Sequence, residues 1–185
     1  VPMHLDALLA DQPLTGGLEP RLGDKHLRVL TIIGFPTATT PGLLDEMNRL
    51  AFPYRWSTRA ILMDKTDATK LLTKIRRQWF AKRKSIAAIL KEVMTNEQSA
   101  LVDTDASNKA LDADMALQEL GADVAGMAYV TATVTVWDAD PRIADEKLRL
   151  VEKIIQGRDF TAMPETVNAV DAWLGAIPGH AYAHV

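Results

Sequence analysis

The chain has 185 residues, a formal net charge of −3 and no cysteine. That is enough length to bury a core as one domain. The missing thiols exclude disulfides, thiolate catalysis and cysteine–zinc sites. Hydrophobic residues at 48% and charged residues at 24% are ordinary for a globular protein. No apolar run approaches the roughly 18–20 residues of a membrane-spanning helix. The chain opens Val1-Pro2-Met3 with no charged-then-apolar leader, so it reads as a fragment of a longer protein.

Residues 1–26 contain "DQPLTGGLEPRLGD", rich in Pro, Gly and charge and without periodicity, which predicts a linker or surface arm. "LRVLTIIGF" from Leu27 is β-branched and apolar, a buried strand. "FPTATTPG" follows as a loop, with Thr40 placed to cap a helix over 41–50 that carries Leu43, Leu44, Met47 and Leu50. A second strand is expected over 54–63.

Asp64 opens a long helix. Leu72, Ile75, Trp79, Ile86, Leu90 and Val93 recur at steps of three, four and seven and draw one apolar stripe. The window 70–91 also holds eight basic residues and no acid. At 100° per residue Lys70, Lys74, Arg77, Lys84 and Lys91 fall opposite the stripe. Arg76 and Arg83 sit at its margin, where their stems can cover apolar surface. A second helix, about 106–120, turns Ala110, Ala113, Leu117 and Leu120 inward and ends at Gly121.

The strand "AYVTATVTVW" (128–137) alternates strictly, predicting one core face and one half-polar face. Asp140 and Pro141 open a helix to about Gln156, with Ile143, Leu148, Val151, Ile154 and Ile155 inward and Gly157 as its stop. A short strand (159–164) and a helix over 165–175, burying Val167, Val170 and Trp173 or Leu174, complete the chain.

Two strand–helix–strand halves predict an α+β sandwich: a ferredoxin-like, split βαβ antiparallel sheet with helices over one face. Residues 27–185 then form one domain, with a helical-hairpin insertion at about 64–125 between its second and third strands.

No GxxxxGK[ST], GxGxxG or GxSxG occurs, so no catalytic or cofactor-binding residue is assigned. His180 and His184 share a spacing that suits metal, but they follow a helix-breaking Pro-Gly and read as a solvated tail. Asp103, Asp105, Asp112 and Asp114 read as caps and a solvated helix face. Trp56, Trp79, Trp137 and Trp173 read as core or interface anchors. The remaining candidate is the basic face: Lys70, Lys74, Arg76, Arg77, Arg83, Lys84 and Lys91. It suits phosphate, an anionic membrane surface, an acidic protein, or only water.

Four segments carry a resemblance. "PLTGGLEPRLGDKHLRVLTIIGFP", "YRWSTRAILMDKTDATKLLTKIRRQWFAKRKS", "DADMALQELGAD" and "ETVNAVDAWLGAIPGH" resemble the TrbE-type conjugal transfer ATPases of type IV secretion and plasmid conjugation. The resemblance implies a segment ahead of the P-loop ATPase domain, with ATP and Mg²⁺ held elsewhere in the parent and no cofactor here. It implies self-association and docking on inner-membrane secretion components, at the cytoplasmic face of the bacterial inner membrane. The rival reading is a ferredoxin-like nucleic-acid or ligand-binding module that uses the basic helix.

Overall fold

A computed structural model describes residues 7, 11–93, 104–122 and 125–180, with side chains except those of 79, 80, 82–93 and 104–107. In chain order the first strands are β1 (Leu14–Thr15), β2 (Arg21–Leu22) and β3 (Lys25–Gly34). A 3-10 turn (Asp45–Arg49) and β4 (Arg55–Leu62) follow, then helices α1 (Lys65–Val93) and α2 (Thr104–Gly121). The chain closes with β5 (Ala128–Asp138), α3 (Pro141–Gln156), β6 (Thr161–Pro164) and α4 (Ala169–Gly175). These fall into two compact units, one of Val1–Ala60 with Val130–Val185 and the other Ile61–Tyr129. The protein is mixed α/β with an antiparallel sheet.

In the first unit the sheet runs β1-β2-β3-β5-β4, with β6 also on β3. β3 is long enough to serve three neighbours. β2 pairs with Lys25 and His26 and β6 with Leu30 through Gly34 along one edge, while β5 takes the other, all antiparallel. The segment expected as an arm thus supplies β1 and β2. Alternation sorts β3 and β5 into two faces. Leu30 and Ile32 stand opposite Val134 and Ala132 and bury against Leu148, Val151, Ile154 and Ile155 of α3 and Met47 of the 3-10 turn. Leu27 and Val29 point the other way, onto Ala172 and Trp173 of α4. Each fully buried aliphatic side chain contributes about 1.5–3 kcal/mol.

That second face corrects two expectations. Helices cover both sides of the sheet, not one. The face of β5 read as half-polar is buried, with Thr133 at 5% and Thr135 at 1% exposure, because α4 lies over it.

Local chemistry explains the element ends. Asp140 accepts a hydrogen bond from the Arg142 N–H at 2.8 Å, Pro141 opens α3, and Gly157 closes it. The helix expected over 41–50 is instead a loop and a 3-10 turn. Gly42 sits at φ +80°, outside the right-handed helical region. The bonds there run three residues back, from Leu43 N–H to Thr40 and from Met47 N–H to Leu44. Met47 is still buried. The last helix starts at Ala169, not 165, because the Glu165 N–H still bonds Val29 O at 2.9 Å and prolongs the strand. Val167 is therefore 75% exposed, and Ile143, just off the inward stripe of α3, is 43% exposed.

In the second unit α1 and α2 pack antiparallel. Ala68 and Leu72 meet Leu120, with Ala116, Leu117, Met63 and Met127 around them. Asp64 caps α1 by accepting from the Asp67 N–H at 2.8 Å, and that bond holds its carboxyl below the ordinary value. Lys65 Nζ donates to Gly121 O at 3.3 Å, tying the start of α1 to the end of α2.

Candidate functional site

The basic face lies on α1, in the second unit. Lys70, Lys74 and Arg77 are exposed, at i, i+4 and i+7 on one strip. With Thr69, Thr73 and Gln78 they line a shallow open trough. Lys70 Nζ lies 3.1 Å from Asp67 Oδ1, an i, i+3 pair on the surface. Arg76 turns away from the strip, and its Nε pairs with Asp114 Oδ1 on α2 at 2.8 Å. Asp114, expected on a solvated face, is thus a structural partner. Arg83, Lys84 and Lys91 lie on the backbone of α1, with side chains outside the described residues. The described strip can neutralise anionic groups that approach from solvent, and it offers no group poised for covalent chemistry.

His180 is half-buried, and His184 lies outside the described residues. Among the described residues no group of three His, Asp or Glu side chains could hold a metal ion. No described helix is long and apolar enough to cross a membrane. Of the expected anchors, Trp173 is buried, Trp56 and Trp137 pack at the edges of the two cores, and the Trp79 side chain is outside the description.

A second candidate lies in the first unit and has no signature in the sequence. Beneath α4 a cavity of about 220 Å³ is lined by Thr31, Thr131 and Thr133 of the sheet and Ser57 and Arg59 of β4. Glu165, Asn168, Ala172 and Gly175 complete it. The Ser57 hydroxyl donates to Ala176 O at 3.2 Å. Thr31 Oγ1 is buried without a hydrogen-bond partner, as are Nε and Nη2 of Arg55, two residues before Ser57. The Arg55 guanidinium lies 6.0 Å from the Trp173 ring, and burial lowers its pKa from the ordinary arginine value. Period-2 alternation does place these residues on one sheet face. Only the helix above makes that face a cavity.

Together these features define a mixed α/β protein whose exposed cationic strip stands on a helical hairpin. No family model matches the chain. Over its whole length it is 30% identical to a probable TrbE conjugal transfer protein of Sinorhizobium fredii (strain NBRC 101917 / NGR234), of which it covers 27%. It is also 30% identical over its whole length to the conjugal transfer protein TrbE of Rhizobium radiobacter, of which it covers 22%. The chain corresponds to a segment of the TrbE-type conjugal transfer proteins and spans about a quarter of the length of these relatives.

Proposed function

We propose that the chain is a non-catalytic assembly segment of a conjugal transfer ATPase, whose parent uses ATP to drive pilus biogenesis and transfer of DNA or protein. The observation that carries this reading is the match to TrbE proteins along all 185 residues of so small a share of them. The absence of a phosphate-cradling GxxxxGK[ST] from the sequence supports it. ATP and Mg²⁺ would be held by another region of the parent. The partners in this reading are inner-membrane secretion components and other copies of the protein, met peripherally at the cytoplasmic face.

The fold reading that accompanies it is ferredoxin-like. The strand order β6-β3-β5-β4 supports a split βαβ sheet with the α1–α2 hairpin inserted between its second and third strands. The 3-10 turn then stands where the first crossover helix would be.

Lys70, Lys74 and Arg77 are the docking surface, with Arg83, Lys84 and Lys91 continuing it along α1 and Arg76 at its margin. The test is Lys74→Glu/Arg77→Glu in the full-length protein. Conjugal transfer should fall about tenfold or more, roughly the effect of losing 1.4 kcal/mol at an interface, while ATP turnover stays unchanged. Undiminished transfer would remove the strip from assembly. Loss of ATP turnover in step with transfer would argue against a segment that acts by docking alone.

The exposed strip also supports a second reading, a nucleic-acid contact. Binding of the chain to single-stranded DNA would then weaken with salt, with a slope of about 0.7 per phosphate neutralised. The same double substitution would abolish it.

A further inference from the structure

We infer that the cavity beneath α4 is a binding site for a small zwitterionic ligand, one that carries a carboxylate and an ammonium group at opposite ends. The inference stands apart from the docking strip, because every lining residue belongs to the first unit.

The floor is polar where a core would be apolar. Thr31, Thr131 and Thr133 come from β3 and β5, and Thr31 pairs with Thr133 across the ladder. Thr133 is 5% exposed, and Thr31 Oγ1 is buried with no partner. A buried hydroxyl left unpaired is unfavourable, so the site calls for an occupant that makes hydrogen bonds. The roof keeps the space open. Asn168, Ala172 and Gly175 recur at steps of four and three, which turns one face of α4 to the sheet. Two of the three are too small to fill the gap.

Charge distinguishes the two ends. Glu165 follows β6 at one side of the sheet, and Arg59 stands on β4 at the other, with β3 and β5 between them. Strands lie ~4.8 Å apart, so the two backbones are roughly 14 Å apart, with both side chains reaching inward. The trough is therefore acidic at one end, hydroxyl-lined in the middle and basic at the other. Arg59 is already engaged within the protein, which orients its fork. A guanidinium has five donors and can serve a ligand carboxylate as well. Arg55, on the same face of β4, adds positive charge and two buried donors without acceptors. A bare anion would meet Glu165 and a bare cation Arg59. A ligand with both charges satisfies both ends. About 220 Å³ is room for roughly seven waters at ~30 Å³ each, beyond the single ordered water that usually satisfies a buried polar group.

The test is calorimetric titration of the chain with 6-aminohexanoate, beside hexanoate and hexylammonium as single-charge probes. The zwitterion should bind saturably, about tenfold or more tighter than either control. Glu165→Gln and Arg59→Gln should each erase that preference. Gly175→Leu should fill the cavity and abolish binding, with its melting temperature showing that the fold survives. Should that variant unfold, amide resonances of the unsubstituted chain decide: saturable shifts must centre on Thr31, Thr131, Thr133 and Asn168. Three probes that bind alike, no saturable heat, or shifts centred elsewhere would each overturn the assignment.

Discussion

Arg76 on α1 and Asp114 on α2 meet at 2.8 Å, so one of the cations that crowd the long helix faces its neighbour and not solvent. The pair is half-exposed, and pairs of that kind contribute about 0.2–1 kcal/mol. A double-mutant cycle with Arg76→Ala and Asp114→Ala, read by urea unfolding, should return a coupling in that range. A coupling indistinguishable from zero would make the contact incidental to the hairpin.

The core between β3, β5 and α3 should be the least tolerant region of the first unit. Val151 and Ile155 are fully buried there. Ile155→Ala should cost about 2–5 kcal/mol, the range for a large-to-small core change. The exposed Ile143 on the same helix offers the control, since Ile143→Ala should stay within about 0.5 kcal/mol. Chemical denaturation of both variants measures the contrast, and equal losses would mean the inward face of α3 is misassigned.

Asp140 should matter through one hydrogen bond. Its carboxylate caps α3 by accepting from Arg142 N–H at 2.8 Å, so Asp140→Ala should cost about 1 kcal/mol and Asp140→Asn much less. Thermal melts of the two variants would separate loss of the cap from loss of charge.

Asp138 supplies a pH dependence. Lys147 Nζ bonds its Oδ2 at 2.6 Å, and that bond, followed by the Asp140 N–H, lowers its pKa below 3.8. A carboxyl whose folded pKa is depressed binds its proton more readily when unfolded. Its stabilisation is therefore complete above pH 3.8 and is lost as pH falls through the lower, folded value. Asp138→Asn should flatten that section of the stability–pH curve and leave the curve near neutrality parallel to the parent. A variant that titrates like the parent below pH 3.8 would assign the acid sensitivity to other carboxylates.

Gly42 tests why the segment after β3 is not a regular helix. It holds φ +80°, and a Cβ there would lie 2.8 Å from Asp45 Oδ2. Gly42→Ala should cost about 1–2 kcal/mol, the left-handed penalty for an L-residue, and Asp45→Ala should not rescue it. Rescue would mean that the side-chain clash matters more than the backbone.

Much of the fold is legible in the residues because local rules decide it. Alternation in "TATVTV" fixes which β5 side chains share a face, and Asp140-Pro141 with Gly157 sets both ends of α3 within the chain itself. The stripe beginning at Leu72 likewise fixes which side of α1 is buried, and so leaves Lys70, Lys74 and Arg77 outward. Each of these depends on neighbours a few residues apart.

What lies across each face depended on segments far away in sequence. Thr133 and Thr135 look like residues for a wet surface, and only the docking of α4 onto Leu27 and Val29 buries them. Glu165 continues the β6 ladder because Val29 O is within reach, which delays the last helix. Arg76 has a partner only because α2 returns antiparallel, and the cavity exists only because small residues of α4 face hydroxyls of β3 and β5. Periodicity and capping are short-range preferences carried by each segment. Burial, pairing and enclosed space belong to two segments at once, and only the tertiary structure brings those together.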